Sequence, residues 1–209
     1  MNKKSPGRPR SAESHQAILK ATTELLGEVG FDAIRIDAIA ARAGVGKTTI
    51  YRRYRTKEEL VADAIESFRQ DIVIPDTGYF WSDLDQLIEN AAQITLNPLG
   101  RQTAAMIISS ASSNSQFAKI YWSKYMKPRR EAFAVVLDRA KARDEVQPDL
   151  DSGLIFDIMS SIMLYALIFE PTSESWTEYI HRALNLVFKE ALASCNTNSE
   201  MRIFGSFKS

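Results

Sequence analysis

Apolar residues recur three and four positions apart along most of the chain, with polar residues filling the intervals. Between Ser11 and Val29 the series Ala17, Ile18, Ala21, Leu25 and Leu26 has helical spacing, and Gly30 marks its stop. Ile36, Ile39, Ala40 and Ala43 follow i, i+3, i+4, i+7 and predict a short helix ending at Gly44. A second short helix fits Lys47 to about Tyr54. Lys57 to about Ile72 predicts a longer amphipathic helix, with Leu60, Ala64, Ile65 and Phe68 on one side. Pro75 and Gly78 suggest a connection. Beyond it, helices are predicted over 80–95, 99–111, 115–143, 151–169 and 174–193, and Pro98 suits the start of the second of these. Pro128 should kink or split the third. The runs SSASSNS (109–115) and EVQPDLDSG (145–153) are expected to be junctions. With 9 Gly and 7 Pro in 209 residues, turns are few. The pattern predicts an all-α fold.

Composition narrows the function classes. At 45% hydrophobic and 25% charged residues, the chain reads as a soluble protein with a sizeable core, in one domain or two small ones. A single cysteine, Cys195, and two distant histidines, His15 and His181, argue against a disulfide framework and a metal centre. No cofactor is expected. The basic start is not followed by an apolar stretch, and the run from Leu154 to Phe169 is broken by Asp157, Ser160 and Ser161, short of the ~20 residues that span a bilayer. A cytoplasmic protein without membrane contact is expected. No Ser/His/Asp or paired-carboxylate constellation appears, so no enzyme is expected.

The charge is zero overall but unevenly placed. Residues 1–57 hold 12 Lys and Arg against 5 Asp and Glu, whereas the rest holds 14 against 21. A basic head that meets a polyanion and an acidic body that does not would give this asymmetry. The expected layout is a flexible basic arm over 1–10, a compact head over 11–56, a helical body over 57–194 and a polar tail over 195–209.

The stretch ARAGVGKT, from Ala41 to Thr48, fits a loose phosphate-loop spacing, and AVVLD at 134–138 mimics the Asp that would hold magnesium. A phosphate loop needs a buried strand ahead of it, but IDAIAARAG has period 3.6, and AVVLD lies in a helix-forming run. Two short helices joined by a turn containing Gly, after a longer helix, fit a helix-turn-helix better. Gly44 then relaxes the backbone at the turn, Val45 packs inward, and Gly46 caps a second helix. Lys47, Thr48 and Thr49 fall in that helix's first turn, whose side chains reach base edges in a major groove. A nucleotide hydrolase and a helical interaction module without a DNA target are the competing readings.

IDAIAARAGVGKTTIYRRYRTKEELV resembles the helix-turn-helix signature of the tetracycline-repressor (TetR) family of bacterial transcriptional regulators. The matching positions are Ile39–Ala40, Ala43–Gly44–Val45, Ile50–Tyr51, Tyr54, Lys57 and Leu60. The likeness is specific over about 11–65; beyond it, length, helical layout and the EVQPDLD junction agree. The resemblance implies that Thr48, Thr49 and Tyr51 face the groove, and that Tyr51, Tyr54 and Lys57 approach the DNA backbone beside Arg52 and Arg53. Tyr54 is either such a contact or a packing aromatic. Arg35 stands where the family usually has a capping Thr; Asp32 or Asp37 substitutes as the cap, or Arg35 reaches DNA. Gly46 replaces a frequent Ser. Arg8 and Arg10 of the arm either read the minor groove of A·T-rich DNA or belong to a plain basic tail.

The resemblance also implies a ligand-responsive repressor that binds a palindromic operator on double-stranded DNA as a homodimer. Its dimer helices would be those carrying Leu154, Ile158, Ile162 and Tyr165, and Trp176, Ile180, Leu184 and Val187. A pocket for a small apolar or aromatic effector is implied in the body. The candidate lining is Trp81, Met106, Trp122, Tyr125, Met126, Phe133, Phe156, Met159 and Met163.

Overall fold

The computed structural model describes residues 9–67 and 74–188, with side chains from residue 12 onward. The expectations for residues 1–8 of the arm, for Phe68 and for the tail with Cys195 therefore lie outside the described residues, whereas Pro9 and Arg10, expected in the flexible arm, open the first helix. Every regular element among those described is helical. They are α1 (Pro9–Ala33), α2 (Ile36–Arg42), α3 (Lys47–Tyr51), α4 (Lys57–Glu66), α5 (Phe80–Thr95), α6 (Pro98–Ser113), α7 (Ser115–Tyr121), a π-helical turn (Trp122–Met126), α8 (Lys127–Ala142) and α9 (Ser152–Ile168). A last helix, α10, occupies 176–188.

Local chemistry explains most boundaries. Gly30 interrupts α1 with φ 75° and ψ 175°, a backbone that residues with a Cβ avoid. Thr56 caps α4 by accepting from the Glu59 amide at 3.2 Å, and Glu59 returns the favour to the Arg55 amide at 2.9 Å. The serine run expected as a junction lies inside α6 up to Ser113, with Ser110 buried. Asn114 alone breaks the chain there, capping α7 through the Phe117 amide at 2.7 Å. The helix expected over 115–143 is divided by the π turn just ahead of Pro128, whose missing N–H cannot close an ordinary helical turn.

Packing sorts these helices into two units, one of α1–α4 with α6, α7 and the π turn, the other of α5, α8, α9 and α10. The units cut across the division at residue 56, because α4 and α6 pack on α1 and α7 packs on α4. In the first unit Ile18, Ile39, Ile50, Leu60 and Phe117 are wholly buried, each contributing about 1.5–3 kcal/mol by leaving water. In the second, Phe80, Leu84 and Ile88 of α5 are buried, as are Trp176, Ile180, Leu184 and Phe188 of α10. The rings of Phe80, Trp81 and Phe188 meet at 5.1–5.6 Å. Asp151 caps α9 through the amides of Gly153 and Leu154, at 2.8 and 3.0 Å. A Cβ at Gly153 would lie 2.0 Å from the guanidinium of Arg130, so a larger residue there would displace the end of that side chain.

Candidate nucleic-acid interface

The turn between α2 and α3 follows from two residues. The Gly44 amide donates to the carbonyl of Ala41 at 3.3 Å, and its φ of 64° turns the chain back so that the next amide can do the same. The Val45 amide reaches back to the carbonyl of Ala40 at 3.0 Å, closing a Schellman cap. Val45 then packs against the core of the first unit. A Gly-Val pair placed this way serves helix termination, and the segment ahead of it is helical, so the phosphate-loop reading falls. The AVVLD segment likewise lies inside α8.

The turn aims α3 outward. Ile50 is its buried anchor at 0% exposure, while Lys47, Thr48 and Tyr51 are exposed, Tyr51 at 58%. Thr49 is half-buried, and Arg52 and Arg53 beyond the helix are exposed. The groove-facing residues implied by the resemblance thus share one solvent-facing side, apart from the half-sheltered Thr49.

Several of the implied contacts have partners inside the protein. Lys47 Nζ lies 2.6 Å from Asp37 Oδ1, and an Arg35 nitrogen lies 4.0 Å from the other carboxylate oxygen. The hydrogen bond from Lys47, helped by Arg35, holds the Asp37 carboxyl below the usual carboxylate range. Arg35 is the extended N-cap of α2 and makes no capping bond, nor does Asp37 supply one. Lys57 donates to the carbonyl of Phe31 at 2.9 Å and lies 4.6 Å over that ring.

Tyr54 differs most from its implied role. It is only 5% exposed, and its hydroxyl lies 2.8 Å from Nε2 of His15. Burial, reinforced by the Asp63 carboxylate, pushes the phenol up to about 12. Burial also holds His15 below the usual histidine range, with Arg53 adding to the effect. Tyr54 therefore packs as a core aromatic and links the recognition segment to α1.

Sequence reasoning missed what lies behind this link. Asp63 of α4 accepts from the Tyr125 hydroxyl at 2.5 Å and pairs with Lys124, and Tyr121 donates to Glu66. The π turn thus grips the acidic side of α4. No sequence signal marks these pairs, which span 55 to 62 positions.

The nine implied pocket residues divide between the two units. Met106, Tyr125 and Met126 join the core of the first unit, and Trp122 is exposed. Trp81, Phe133, Phe156, Met159 and Met163 belong to the second, where the rings of Phe133 and Phe156 are 6.0 Å apart. The dimer residues divide too. Leu154 and Tyr165 are exposed, and Ile158, Ile162 and Val187 are half-buried. Trp176, Ile180 and Leu184 are at most 6% exposed, so they face their own core rather than a partner. The outward side of α10 carries Leu186, 65% exposed.

Comparison with known proteins agrees with this geometry. A family model described as "Bacterial regulatory proteins, tetR family" matches residues 18–64, and one described as "Tetracyclin repressor-like, C-terminal domain" matches 74–187. The HTH-type transcriptional regulator YdeS of Bacillus subtilis is 29% identical over 92% of this chain and 97% of its own. Among solved structures, the flavonoid-responsive regulator FrrA shares the fold at a TM-score of 0.66 and 21% identity, covering 86% of this chain and 97% of its own. SmeT, the repressor of a Stenotrophomonas maltophilia multidrug efflux pump, does so at 0.58 and 18%, covering 82% and 87%. With an outward recognition helix on a capped Gly-Val turn and both halves matched, the chain belongs to the tetracycline-repressor family of bacterial DNA-binding transcriptional regulators.

Proposed function

We propose that this regulator is a homodimeric repressor that binds a palindromic operator and is released by a small apolar or aromatic effector. The observation that carries the reading is the outward side of α3, where Lys47, Thr48 and Tyr51 stand exposed over the buried Ile50. Thr48 and Tyr51 are the side chains for base and phosphate, with Thr49, Arg35, Arg52 and Arg53 at the edges. Lys57 keeps two ammonium donors beyond its bond to Phe31 for a phosphate. Lys47 contributes once Asp37 releases it.

Dimerisation is supported by an apolar stripe on α9 at the spacing of a helix–helix seam, in which Leu154, Tyr165 and Ile168 are exposed and Ile158 is half-buried. Effector binding is supported by the apolar set Phe133, Phe156, Met159 and Met163 on α8 and α9, with Trp81 of α5. A flavonoid-responsive regulator and an efflux-pump repressor of the same fold suit an aromatic ligand and negative control. Such a protein acts in the cytoplasm, where its DNA lies.

The test is binding of an inverted-repeat duplex by the parent chain and by Tyr51→Ala. Loss of a specific contact costs about 1–3 kcal/mol, hence roughly a ten- to hundredfold weaker complex, with dimerisation intact. Equal affinity in both proteins contradicts the assignment of α3.

A further inference from the structure

We infer that Asp37 is a specificity-determining residue for DNA, acting as a tether on Lys47 and Arg35. The inference rests on the DNA-binding reading above and goes beyond it, because an acidic side chain at a nucleic-acid interface has no place in a simple list of contacts.

Asp37 lies in the first turn of α2, and Lys47 is the first residue of α3. One carboxylate therefore bridges the starts of both motif helices, 2.6 Å from the Lys47 ammonium and 4.0 Å from the Arg35 guanidinium. All three side chains are half or more exposed. No burial requires the carboxylate for stability, and exposed pairs of this kind contribute little to folding. Their effect is on the field: two cations and one anion leave a single net charge where two would otherwise stand.

That difference matters most on the wrong DNA. Sequence-indifferent binding is almost wholly phosphate electrostatics, whereas operator binding adds contacts such as those of Thr48 and Tyr51 that do not scale with net charge. Holding Lys47 on Asp37 therefore weakens adventitious complexes more than the specific one. On the operator, a phosphate within reach takes Lys47 over from an exposed pair that is easily exchanged.

The experiment measures affinity for a mixed-sequence 30-bp duplex across a salt series, for the full-length parent, Asp37→Asn, Asp37→Glu, Lys47→Gln and the Asp37→Asn/Lys47→Gln double variant. Asp37→Asn should bind at least threefold tighter, with the log K against log[salt] slope steeper by about one, the value of one further phosphate contact. Asp37→Glu should behave as the parent. In the Lys47→Gln background most of the gain should vanish, since the tether acts chiefly through Lys47. A mere loss of structure in α2 would weaken binding and leave the slope flat or shallower, which overturns the role. So does an Asp37→Asn gain that persists in full without Lys47. If the parent binds no DNA at all, the DNA-binding reading fails with it; if the parent binds and Asp37→Asn does not differ, the tether alone fails.

Discussion

The hydroxyl of Tyr125, in the π turn, donates to the carboxylate of Asp63 on α4 at 2.5 Å. Asp63 also pairs with Lys124 and contributes to the high pKa of Tyr54. One acidic side chain thus gathers groups from the π turn and from the segment that ends the recognition motif. A carboxylate in this position fixes α4 against both, and α4 is the helix that follows the motif directly.

Removing the Tyr125 hydroxyl takes one hydrogen-bond donor away from Asp63. Tyr125→Phe should destabilise the protein by about 1–2 kcal/mol, read as a lower urea midpoint followed by circular dichroism, with an unchanged slope. A midpoint equal to that of the parent would show that water replaces the phenol at no cost.

The two glycines of GVG should differ in their tolerance of substitution. Gly44 has positive φ, so Gly44→Ala should cost roughly 1 kcal/mol or more. Gly46 has φ −75° and a β-type ψ, the geometry of any N-cap, and Gly46→Ser should leave stability within a few tenths of a kcal/mol. Thermal midpoints of the two variants decide this.

His15 makes the fold sensitive to mild acid. Its folded pKa lies below the ordinary histidine value of about 6.5, so the unfolded chain binds the proton more readily. The stability tied to neutral His15 is complete above about pH 6.5 and is lost as pH falls through the folded pKa. His15→Gln should therefore lose less stability than the parent between pH 7.5 and pH 5.5, compared by urea midpoints. A parallel decline in both proteins would assign the acid sensitivity to other groups.

On the dimer reading, Leu154→Glu with Tyr165→Glu should give a folded monomer in sedimentation experiments. Trp176→Ala should instead reduce stability by about 3–5 kcal/mol, because that side chain fills its own core. A dimer that survives both α9 charges points to another surface.

Much of the architecture could be read from periodicity. Ile36, Ile39, Ala40 and Ala43 announced α2, and Gly44 with Val45 announced the turn, because one backbone conformation and one inward side chain leave local marks. The α10 stripe of Trp176, Ile180 and Leu184 was legible as apolar, but period alone does not say whether an apolar side meets its own core or another chain. The resemblance implied backbone contacts for Lys57 and Tyr54, but it could not show their partners inside the protein, Phe31 and His15, which lie 26 and 39 positions away. Such pairings exist only once the helices are packed.

The most direct test of the central claim is selection of duplexes from a random DNA pool by the full-length protein, at moderate salt and without ligand. Enrichment of an inverted repeat, with half-sites about one helical turn apart, is the predicted result for a dimer that reads DNA through α3. Recovery of only salt-sensitive, sequence-indifferent complexes would contradict it.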